Sequence, residues 1–295
     1  MGMTLEAKIA NVSDALLKLL KDGTSPWQKD WQLQASSFCN AATGKPYVGQ
    51  NVILLMIESL IRGYTSRLFI GFAQAQDLGL KMFKGSKSCF ILYPRLVKKK
   101  DEETGEEEAV IIGWSWANVF NLDCFEDNPA KQAILQKFSD QDAQKPRLAP
   151  PDFVLSLIDS HRPNIVFDPS RTPSYSPTLD RITMPPIDCF HSAEGYAATF
   201  IHELAHWTGH HTRLNRSQIG FSQSSVSYAY EELVAEMTSA ILCAEAQIPY
   251  SLENHASYIA SWIKLLQEDS SAFTKALKDA SKASHFLIPA NNIQS

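Results

Sequence analysis

The stretch "HELAHWTGHH", residues 202–211, constrains this chain more than any other, because it places four histidines and a glutamate within a helical pattern. His202 and His206 are four residues apart, so a helix puts both imidazoles on one face, one turn apart. Two ligands of one zinc ion need this geometry. Glu203 follows the first histidine and reaches a metal-bound water as general base without binding the ion. The HExxH spacing therefore predicts a hydrolytic metal centre with Glu203 as its catalytic residue.

The third metal ligand has to come from another part of the chain. The longer pattern HExxHxxGxxH is met by Gly209 but not by Thr212, which stands where the third histidine would be. His210 and His211 are out of register with that pattern. Because HExxH alone arises by chance in on the order of one chain in a hundred, the prediction needs a ligand downstream.

A second predicted helix offers acids at suitable positions. The segment "YEELVAE", residues 230–236, contains Glu231, Glu232 and Glu236. Glu232 and Glu236 share a helix face, whereas Glu231 points roughly 100° away from Glu232. In the Glu-zincin pattern, one glutamate of a second helix binds the metal and an acid four residues later supports a histidine ligand. We predict Glu232 as the third ligand and Glu236 as the supporting acid. The alternatives for Glu236 are a ligand or an ordinary helix-face acid, and Glu231 is interpreted as a surface charge.

This ligand set suits Zn²⁺, although Mn²⁺ or another divalent ion could occupy it. Three protein ligands leave one coordination position for water, whose pKa zinc lowers to about 7, and peptide hydrolysis is the reaction that such a centre performs. The oxyanion also needs a stabilising group, for which His210, Tyr228 and Tyr230 are the candidates. The segment "PSYSPTLDRITMPP", residues 173–186, is bounded by prolines and predicts an edge strand, which would pair with a peptide substrate.

The chain divides near residues 127–151, where the sequence is polar, lacks a sustained apolar period and ends in prolines. This stretch indicates a linker with one short helix in it. We predict an α+β protein of two domains, with a mixed α/β domain at 1–128, the linker at 129–151 and a metallopeptidase domain at 152–295. The length of 295 residues is enough for two domains with cores of their own.

Several elements follow from apolar periodicity and turn signals. "GQNVILLMIESLIRG" predicts a buried helix that begins at Asn51 and ends at Gly63, and "SCFILYPRLVKKK" and "AVIIGWSWANVFNLD" predict two strands around an acidic hairpin tip. In the second half, "DFVLSLIDS" predicts a helix with Asp152 as its N-cap, and "NIVFD" predicts a short strand. A long helix is expected from about Ser192 to Gly209, followed by a second long helix and two amphipathic helices at the C-terminus.

The first half has the composition of a nucleic-acid-binding surface. Residues 81–100 carry seven Lys or Arg and no acid, with three aromatic residues among them. Basic side chains along phosphates and aromatic faces for bases bind single strands without sequence preference. As an alternative, Trp114 and Trp116 alternate along a strand and could face the core, and the lysines could only balance the acidic tip. The candidate contacts are Trp27, Trp31, Lys45, Tyr47, Asn51, Lys84, Lys87 and Arg95.

Other features limit where the protein works. The net charge of −5 argues against a general polyanion binder, although local patches are not excluded by it. Five scattered cysteines without a CxxC pair favour a reducing compartment. No apolar run approaches the length of a membrane span, and the amphipathic N-terminus lacks the features of a secretory signal. We therefore expect a cytoplasmic protein without a membrane partner.

Longer motifs resemble one known family. In the first half these are "TGKPYVGQNVILLM", "FKGSKSCFILYP" and "GWSWANVFNLD". In the second half they are "YSPTLDRITMPP", "FHSAEGYAATFIHELAHWTGHHTRLNR", "YAYEELVAEMTSAILCAEAQIP" and "NHASYIASWIKLL". In this order, and over nearly the whole chain, they are similar to the ArdC-type antirestriction proteins of conjugative plasmids.

The resemblance implies a function and a fold. It implies a protein that protects incoming plasmid DNA from host restriction enzymes, with a first domain that binds single-stranded DNA. It implies a second domain with a zinc-peptidase-like fold related to SprT-like and IrrE-like domains. His202, Glu203, His206 and the region of Glu232 match the family's metal site.

Three hypotheses remain open at this point. In the first, the protein is a DNA-tethered metalloprotease that cleaves a protein of the host restriction system. In the second, it coats single-stranded DNA without catalysis and its metal site is structural, although structural sites more often have four Cys or His ligands. In the third, it is a housekeeping peptidase without a role on DNA.

Overall fold

The computed structural model describes residues 3–23, 37–100, 107–144, 149–217, 226–249 and 256–288. Helices and two separate sheets make up these residues, with one sheet in each half of the chain. Within the described part, no helix is long and apolar enough to cross a lipid bilayer.

The N-terminal sheet has four strands in the order β1-β2-β4-β3. They are β1 (Cys39–Asn40), β2 (Leu68–Ile70), β3 (Cys89–Lys100) and β4 (Glu107–Asn121). β1 and β2 are parallel, and the other pairs are antiparallel. β3 and β4 confirm the two strands predicted from the sequence. They pair far beyond the end of β2, so residues 89–100 and 107–119 form a two-stranded ribbon, with a register shift between Arg95 and Leu96.

In the part of this half that the structure describes, the α-helices are α1 (Leu5–Lys21), α2 (Gln50–Arg62), α3 (Phe72–Asp77) and α4 (Pro129–Gln144). α2 is the predicted buried helix and begins one residue before Asn51. It is apolar on most of its circumference and therefore lies inside the protein. It ends at Gly63, whose φ of 68° is left-handed, as glycine allows without steric cost.

α4 occupies most of the stretch predicted as a linker, and it is longer than the short helix that the sequence indicates. Its Ile134 and Phe138 are buried with Leu80, Leu122 and Phe125 of the N-terminal half. The stretch 129–144 therefore packs on that half rather than only connecting two domains, and the boundaries at 128 and 152 stay predictions.

The C-terminal sheet has three strands in the order β5-β7-β6: β5 (Asn164–Phe167), β6 (Ser174–Ser176) and β7 (Arg181–Met184). The segment 173–186 is thus a hairpin and not the single edge strand expected from its prolines. β7 lies in the middle, parallel to β5 and antiparallel to β6. β6 remains at an edge of the sheet.

The α-helices among the described residues of this half are α5 (Pro150–His161), α6 (Ala193–Thr208), α7 (Val226–Glu245), α8 (Ala256–Glu268) and α9 (Ala272–Leu287). The N-cap of α5 is Ala149, with prolines at the first helical positions. The prediction of Asp152 as N-cap was therefore wrong, because proline favours the first turn and moves the start upstream. Asp152 lies in that first turn.

One hydrophobic core joins the two halves. Val12 of α1 and Ile53 of α2 belong to the same buried cluster as Met237 of α7, Trp262 of α8 and Phe273 of α9. A second cluster surrounds α6 and includes Leu242 at the far end of α7. α7 therefore contributes to both cores.

A tight contact closes the seam between the halves. The backbone N–H of Gly49, which precedes α2, donates a hydrogen bond to Oε1 of Glu245 at the end of α7 (3.0 Å). The φ of Gly49 is 56°, and a Cβ there would lie 2.7 Å from Oγ of Ser281 in α9. Only glycine fits this position without displacing a neighbour.

Candidate metal centre

Helix α6 holds the HExxH residues at the interface with α7. Ser192 caps the helix, since its Oγ accepts a hydrogen bond from the backbone N–H of Gly195 (2.9 Å). Leu204 is fully buried in the core on one side of α6. His202 and His206 project towards α7, where each lies within 3.4 Å of a carboxylate oxygen of Glu232.

Both imidazoles turn Nε2 towards Glu232. The two Nε2 atoms are 3.2 Å apart. Oε2 of Glu232 lies 3.4 Å from Nε2 of His202, and Oε1 lies 3.4 Å from Nε2 of His206. The structure thus brings together the three side chains predicted as ligands, as a group that could hold a metal ion.

These spacings fit a metal ion. Ligand atoms 2.0–2.1 Å from a tetrahedral zinc ion lie about 3.3 Å from one another. The three distances of 3.2, 3.4 and 3.4 Å match that edge length. Within the described part of the chain, no hydrogen bond reaches the buried Oε2 of Glu232. A cation bound by these atoms would give this oxygen a partner, so the three residues fit a divalent metal ion.

In the metal-free site, neighbouring carboxylates favour the protonated form of both histidines. Burial lowers the pKa of His206, but the carboxylates of Glu232 and Glu231 outweigh burial and raise it to about 9. Burial also lowers the pKa of His202, but the carboxylates of Glu232 and Glu236 outweigh burial and raise it well above its ordinary value. Burial raises the pKa of Glu232, and the two histidines more than reverse this, so its net shift is downward. A bound cation would take the place of these protons.

Each histidine has a carboxylate on its other ring nitrogen. Oε2 of Glu236 lies 3.5 Å from Nδ1 of His202, which is the position expected of the supporting acid. Oε1 of Glu231 lies 3.2 Å from Nδ1 of His206. Carboxylates at this position fix the tautomer and the ring orientation of a ligand histidine.

Glu231 is not a surface charge, as the sequence interpretation had it, but is buried between α6 and α7. Its carboxylate accepts hydrogen bonds from Nε and Nη2 of Arg216 (2.9 and 2.6 Å). Burial raises the pKa of Glu231, but Arg216 and His206 lower it overall. The spacing of acids along α7 could not identify this role, because it depends on an arginine 15 residues upstream.

Glu203 is buried next to the two histidines, and burial raises the pKa of its carboxyl group above the ordinary value. The positive imidazoles and a backbone hydrogen bond from Tyr175 of β6 act in the opposite direction. The predicted general base therefore lies between the ligand pair and the edge strand β6.

The β6–β7 hairpin is fixed to the end of α6. Arg213 donates through Nη1 to Oδ2 of Asp180 (3.0 Å), and its Nη2 donates to the hydroxyl of Tyr175 (3.2 Å). Its guanidinium also stacks over the ring of Trp207, 3.8 Å from the centroid. These contacts hold the edge strand beside Glu203.

The three oxyanion candidates differ in their surroundings. The hydroxyl of Tyr230 donates to Oδ2 of Asp279 on α9 (2.9 Å), which directs it away from the ligand group. His210 lies just beyond α6 and contacts Thr212 through Nδ1 (2.8 Å). Tyr228 is half-buried in the first turn of α7. His210 and Tyr228 therefore stay the predicted candidates for the oxyanion.

Comparison with known proteins assigns the two halves. The family described as the N-terminal domain of anti-restriction factor ArdC matches residues 7–120, and the zincin-like metallopeptidase family matches residues 156–279. Over its whole length the chain is similar to the antirestriction protein ArdC of plasmid R388 in a metal-free crystal structure. The identity is 31%, the TM-score is 0.70, and 97% of each chain is covered. The chain belongs to the ArdC antirestriction family. This confirms the resemblance and the α+β fold class expected from the sequence.

Two further relatives extend this assignment. A Mn(II)-bound crystal structure of ArdC from R388 is 30% identical, with a TM-score of 0.69 and coverage of 99% of each chain. A DNA primase TraC of Escherichia coli is 33% identical over an alignment of 296 positions, which covers 94% of this chain and 26% of the primase. The chain thus spans about a quarter of that relative. Membership of the ArdC family also explains why a metallopeptidase-like half occurs beside a half with a different composition.

In the ArdC-type N-terminal half, the candidate nucleic-acid contacts fall into three groups. Trp27 and Trp31 lie outside the described residues. The charged side chains are all exposed: Lys45, Lys84, Lys87 and Arg95. The remaining two, Tyr47 and Asn51, have partners inside the protein.

Tyr47 and Asn51 serve packing in this structure. Tyr47 is only 8% exposed, packs edge-on against Phe69, and has a pKa that burial raises to about 12. The side-chain amide of Asn51 donates to the carbonyl of Leu92 (2.9 Å) and accepts from its N–H (2.7 Å). Both residues thus hold α2 and the sheet together, and any contact with DNA stays a prediction.

The register of the ribbon fixes which residue of β4 lies opposite each basic residue of β3. In the backbone register of the two strands, Lys99 pairs with Glu108 and Lys100 pairs with Glu107. Lys98 pairs with Ala109, and Arg95 pairs with Gly113. Of the candidate contacts, Arg95 therefore lies on the ribbon, opposite a glycine that carries no side chain.

Proposed function

We propose that this protein binds single-stranded DNA through its N-terminal half and protects incoming plasmid DNA from restriction in the bacterial cytoplasm during conjugation. We further propose that its C-terminal half is a zinc-dependent peptidase centre. The observation that carries the second proposal is the meeting of two Nε2 atoms and one carboxylate at 3.2–3.4 Å, next to a buried Glu203. Membership of an antirestriction family supports the first.

His202, His206 and Glu232 would hold the ion. When bound, Zn²⁺ supplies a Lewis acid and a water of lowered pKa. Mn²⁺ is the alternative, since the R388 relative has been seen with Mn(II) bound.

Glu203 would take a proton from the attacking water and return it to the leaving amine. A buried carboxyl group with a raised pKa suits this exchange, because a general base works best near the operating pH. β6 would offer its open edge to an extended peptide, and Arg213 with Asp180 would keep that edge next to Glu203. A protein of the host restriction system is the candidate substrate.

The ribbon offers the surface that we propose for DNA. Tyr93 and Arg95 lie on the same face of β3, and Tyr93 is 45% exposed. A Cβ at Gly113 would lie 2.9 Å from Nη2 of Arg95, so the guanidinium lies directly over this glycine. An exposed ring beside a flat cation can stack with bases of any sequence. Lys84 and Lys87 would contact the phosphates.

The Glu203→Ala variant separates the proposed protease from a non-catalytic DNA coat. If proteolysis is the mechanism, this variant binds Zn²⁺ as the wild type does but no longer protects plasmid DNA in a restriction assay. Full protection by a metal-binding Glu203→Ala protein would refute the proteolytic mechanism and leave the coating hypothesis. Glu194→Ala, in the first turn of the same helix, is the matched control.

A gel shift with single-stranded DNA at two salt concentrations tests the DNA-binding part. Phosphate contacts release counterions, so binding must weaken as salt rises. Absence of binding at low salt would favour the third hypothesis, a peptidase without a role on DNA.

A further inference from the structure

Arg216 joins the two helices that carry the candidate ligands. It is buried, with 7% exposure, in the segment after α6. Its Nη1 donates to Oγ1 of Thr208 (2.8 Å), and its Nη2 donates to the carbonyl of Ala205 (2.7 Å), both in the last turn of α6. Its guanidinium also donates two hydrogen bonds to the carboxylate of Glu231 on α7. One guanidinium therefore links α6 directly to α7.

This link continues into the ligand group. Glu231 precedes the ligand Glu232 on α7 and also contacts Nδ1 of His206 at 3.2 Å. An Nδ1–H that donates to Glu231 leaves the lone pair of Nε2 available on the other side of the ring. The contacts thus run from Arg216 through Glu231 to His206, which faces Glu232.

We propose that Arg216 and Glu231 form a brace that positions the metal ligands: Arg216 sets the spacing of α6 and α7, and Glu231 orients His206 with Nε2 towards the ion. This inference rests on the proposed metal centre but not on its peptidase activity. Both residues are positioning residues, since they act on the ion through His206 and Glu232.

Stability alone does not account for this arrangement. A buried ion pair contributes little net stability, because the cost of removing two charges from water offsets their attraction. An apolar pair would fill the same space at no such cost. The charged pair, unlike an apolar one, can hold α6 by its carbonyl and hydroxyl groups and also accept a hydrogen bond from Nδ1–H of His206. The geometry of the pair therefore matches a role in ligand orientation.

The experiment measures Zn²⁺ affinity by competition with a chromophoric chelator. The double variant Arg216→Met/Glu231→Gln removes both charges and leaves no uncompensated ion in the interior. We expect it to bind Zn²⁺ about 10–100-fold more weakly than the wild type, the usual loss when a support of a ligand histidine is removed. Its melting temperature without metal should stay close to that of the wild type.

The matched control is Glu58→Gln/Arg62→Met. Arg62 donates to Glu58 on α2 at 2.7 Å, so the same residue types are exchanged in a partly buried pair of the N-terminal half. This control should bind Zn²⁺ with wild-type affinity. Arg216→Lys keeps the positive charge but loses the forked guanidinium that reaches both helices. It should therefore bind Zn²⁺ more weakly than the wild type, as the double variant does. With Co²⁺ in the site, the visible spectrum of the brace variants should also differ from the wild type, because it reports ligand geometry.

The outcomes are distinguishable. If the double variant or Arg216→Lys binds Zn²⁺ with wild-type affinity, the brace is overturned while the proposed metal centre stands. If the double variant does not fold, Glu231→Gln and Arg216→Lys decide the question by the same affinity criterion. Lack of saturable Zn²⁺ binding by the wild type would overturn both the brace and the metal centre.

Discussion

The candidate metal centre and the β3–β4 ribbon represent opposite ways of building a site. At the centre, buried carboxylates and imidazoles are held by partners on two helices, so each side chain has a defined direction. On the ribbon, aromatic and aliphatic side chains such as Tyr93 and Ile112 are exposed on two strands that pair only with each other over most of their length. The first arrangement suits a small ion that demands fixed geometry. The second suits a flexible chain that can adapt to the surface.

If the two sites are independent, removing a ligand should affect only one of them. His206→Ala should weaken Zn²⁺ binding on the order of 1,000-fold, which corresponds to about 4 kcal/mol of binding free energy. This is about a third of the ~10–16 kcal/mol that three or four ligands supply together in structural zinc sites. Binding of single-stranded DNA should be unchanged, as measured by gel shift on the same preparation. A parallel loss of DNA binding would show that the ribbon depends on the metal centre.

The pH dependence should also separate the sites. In the metal-free protein the pKa of His206 is raised to about 9, so at lower pH the ion must displace a proton. Zn²⁺ affinity should therefore rise with pH between about 6.5 and 9, by up to about tenfold per unit for each proton displaced.

The stability that protonated His206 gives the metal-free fold is complete below about pH 6.5 and is lost as pH rises through 9.

DNA binding should stay nearly constant over the same range, because Lys and Arg keep their charge. Zinc titrations and gel shifts at pH 6.5, 7.5 and 8.5 measure both quantities. A flat zinc profile would contradict the ligand assignment of His206.

A third prediction concerns the seam between the halves. Gly49→Ala places a Cβ 2.7 Å from Oγ of Ser281 at a left-handed backbone position, which should destabilise the fold by about 1–3 kcal/mol. Since α7 belongs to both cores, thermal unfolding should remain a single transition at lower temperature. Two separate transitions would show that the halves unfold independently. Gly44→Ala, also at positive φ but with no atom within 4 Å of the added Cβ, is the control.

The smallest effect is expected from a single phosphate contact. Lys84→Ala should weaken DNA binding several-fold at low salt and reduce the slope of log K against log salt by about 1. Zn²⁺ affinity should not change. Lys137→Ala on α4, an equally exposed lysine outside the proposed surface, serves for comparison. Equal slopes for Lys84→Ala and the wild type would remove Lys84 from the interface.

The sequence predicted the centre better than the ribbon for a physical reason. The spacing of His202 and His206 is local to one helix. Helix geometry placed Glu232 and Glu236 on one face of the next helix, and the Glu-zincin pattern then assigned Glu232 as the predicted ligand. Glu231 was misinterpreted because its burial depends on Arg216, which no periodicity connects to α7. Tyr47 and Asn51 have the polar character of contact residues, but the fold uses them between α2 and the sheet.

The division of the chain was also hard to see in the sequence. α4 buries Ile134 and Phe138 with the N-terminal half although its sequence is polar overall. Two apolar residues four apart are a weak signal among charged neighbours. The hairpin at 173–186 was missed since Pro177 and Asp180 mark a tight turn inside what was interpreted as one strand.

The shared core around α7 has a practical consequence for dissecting this molecule. Cutting the gene near codon 150 to express the peptidase-like part by itself would strip the covering provided by α1 and α2 from α7, α8 and α9. Such a truncated product would expose a broad apolar surface to solvent and should therefore aggregate. Point variants in the intact polypeptide, rather than isolated fragments, are therefore the reliable route to assigning a task to each half.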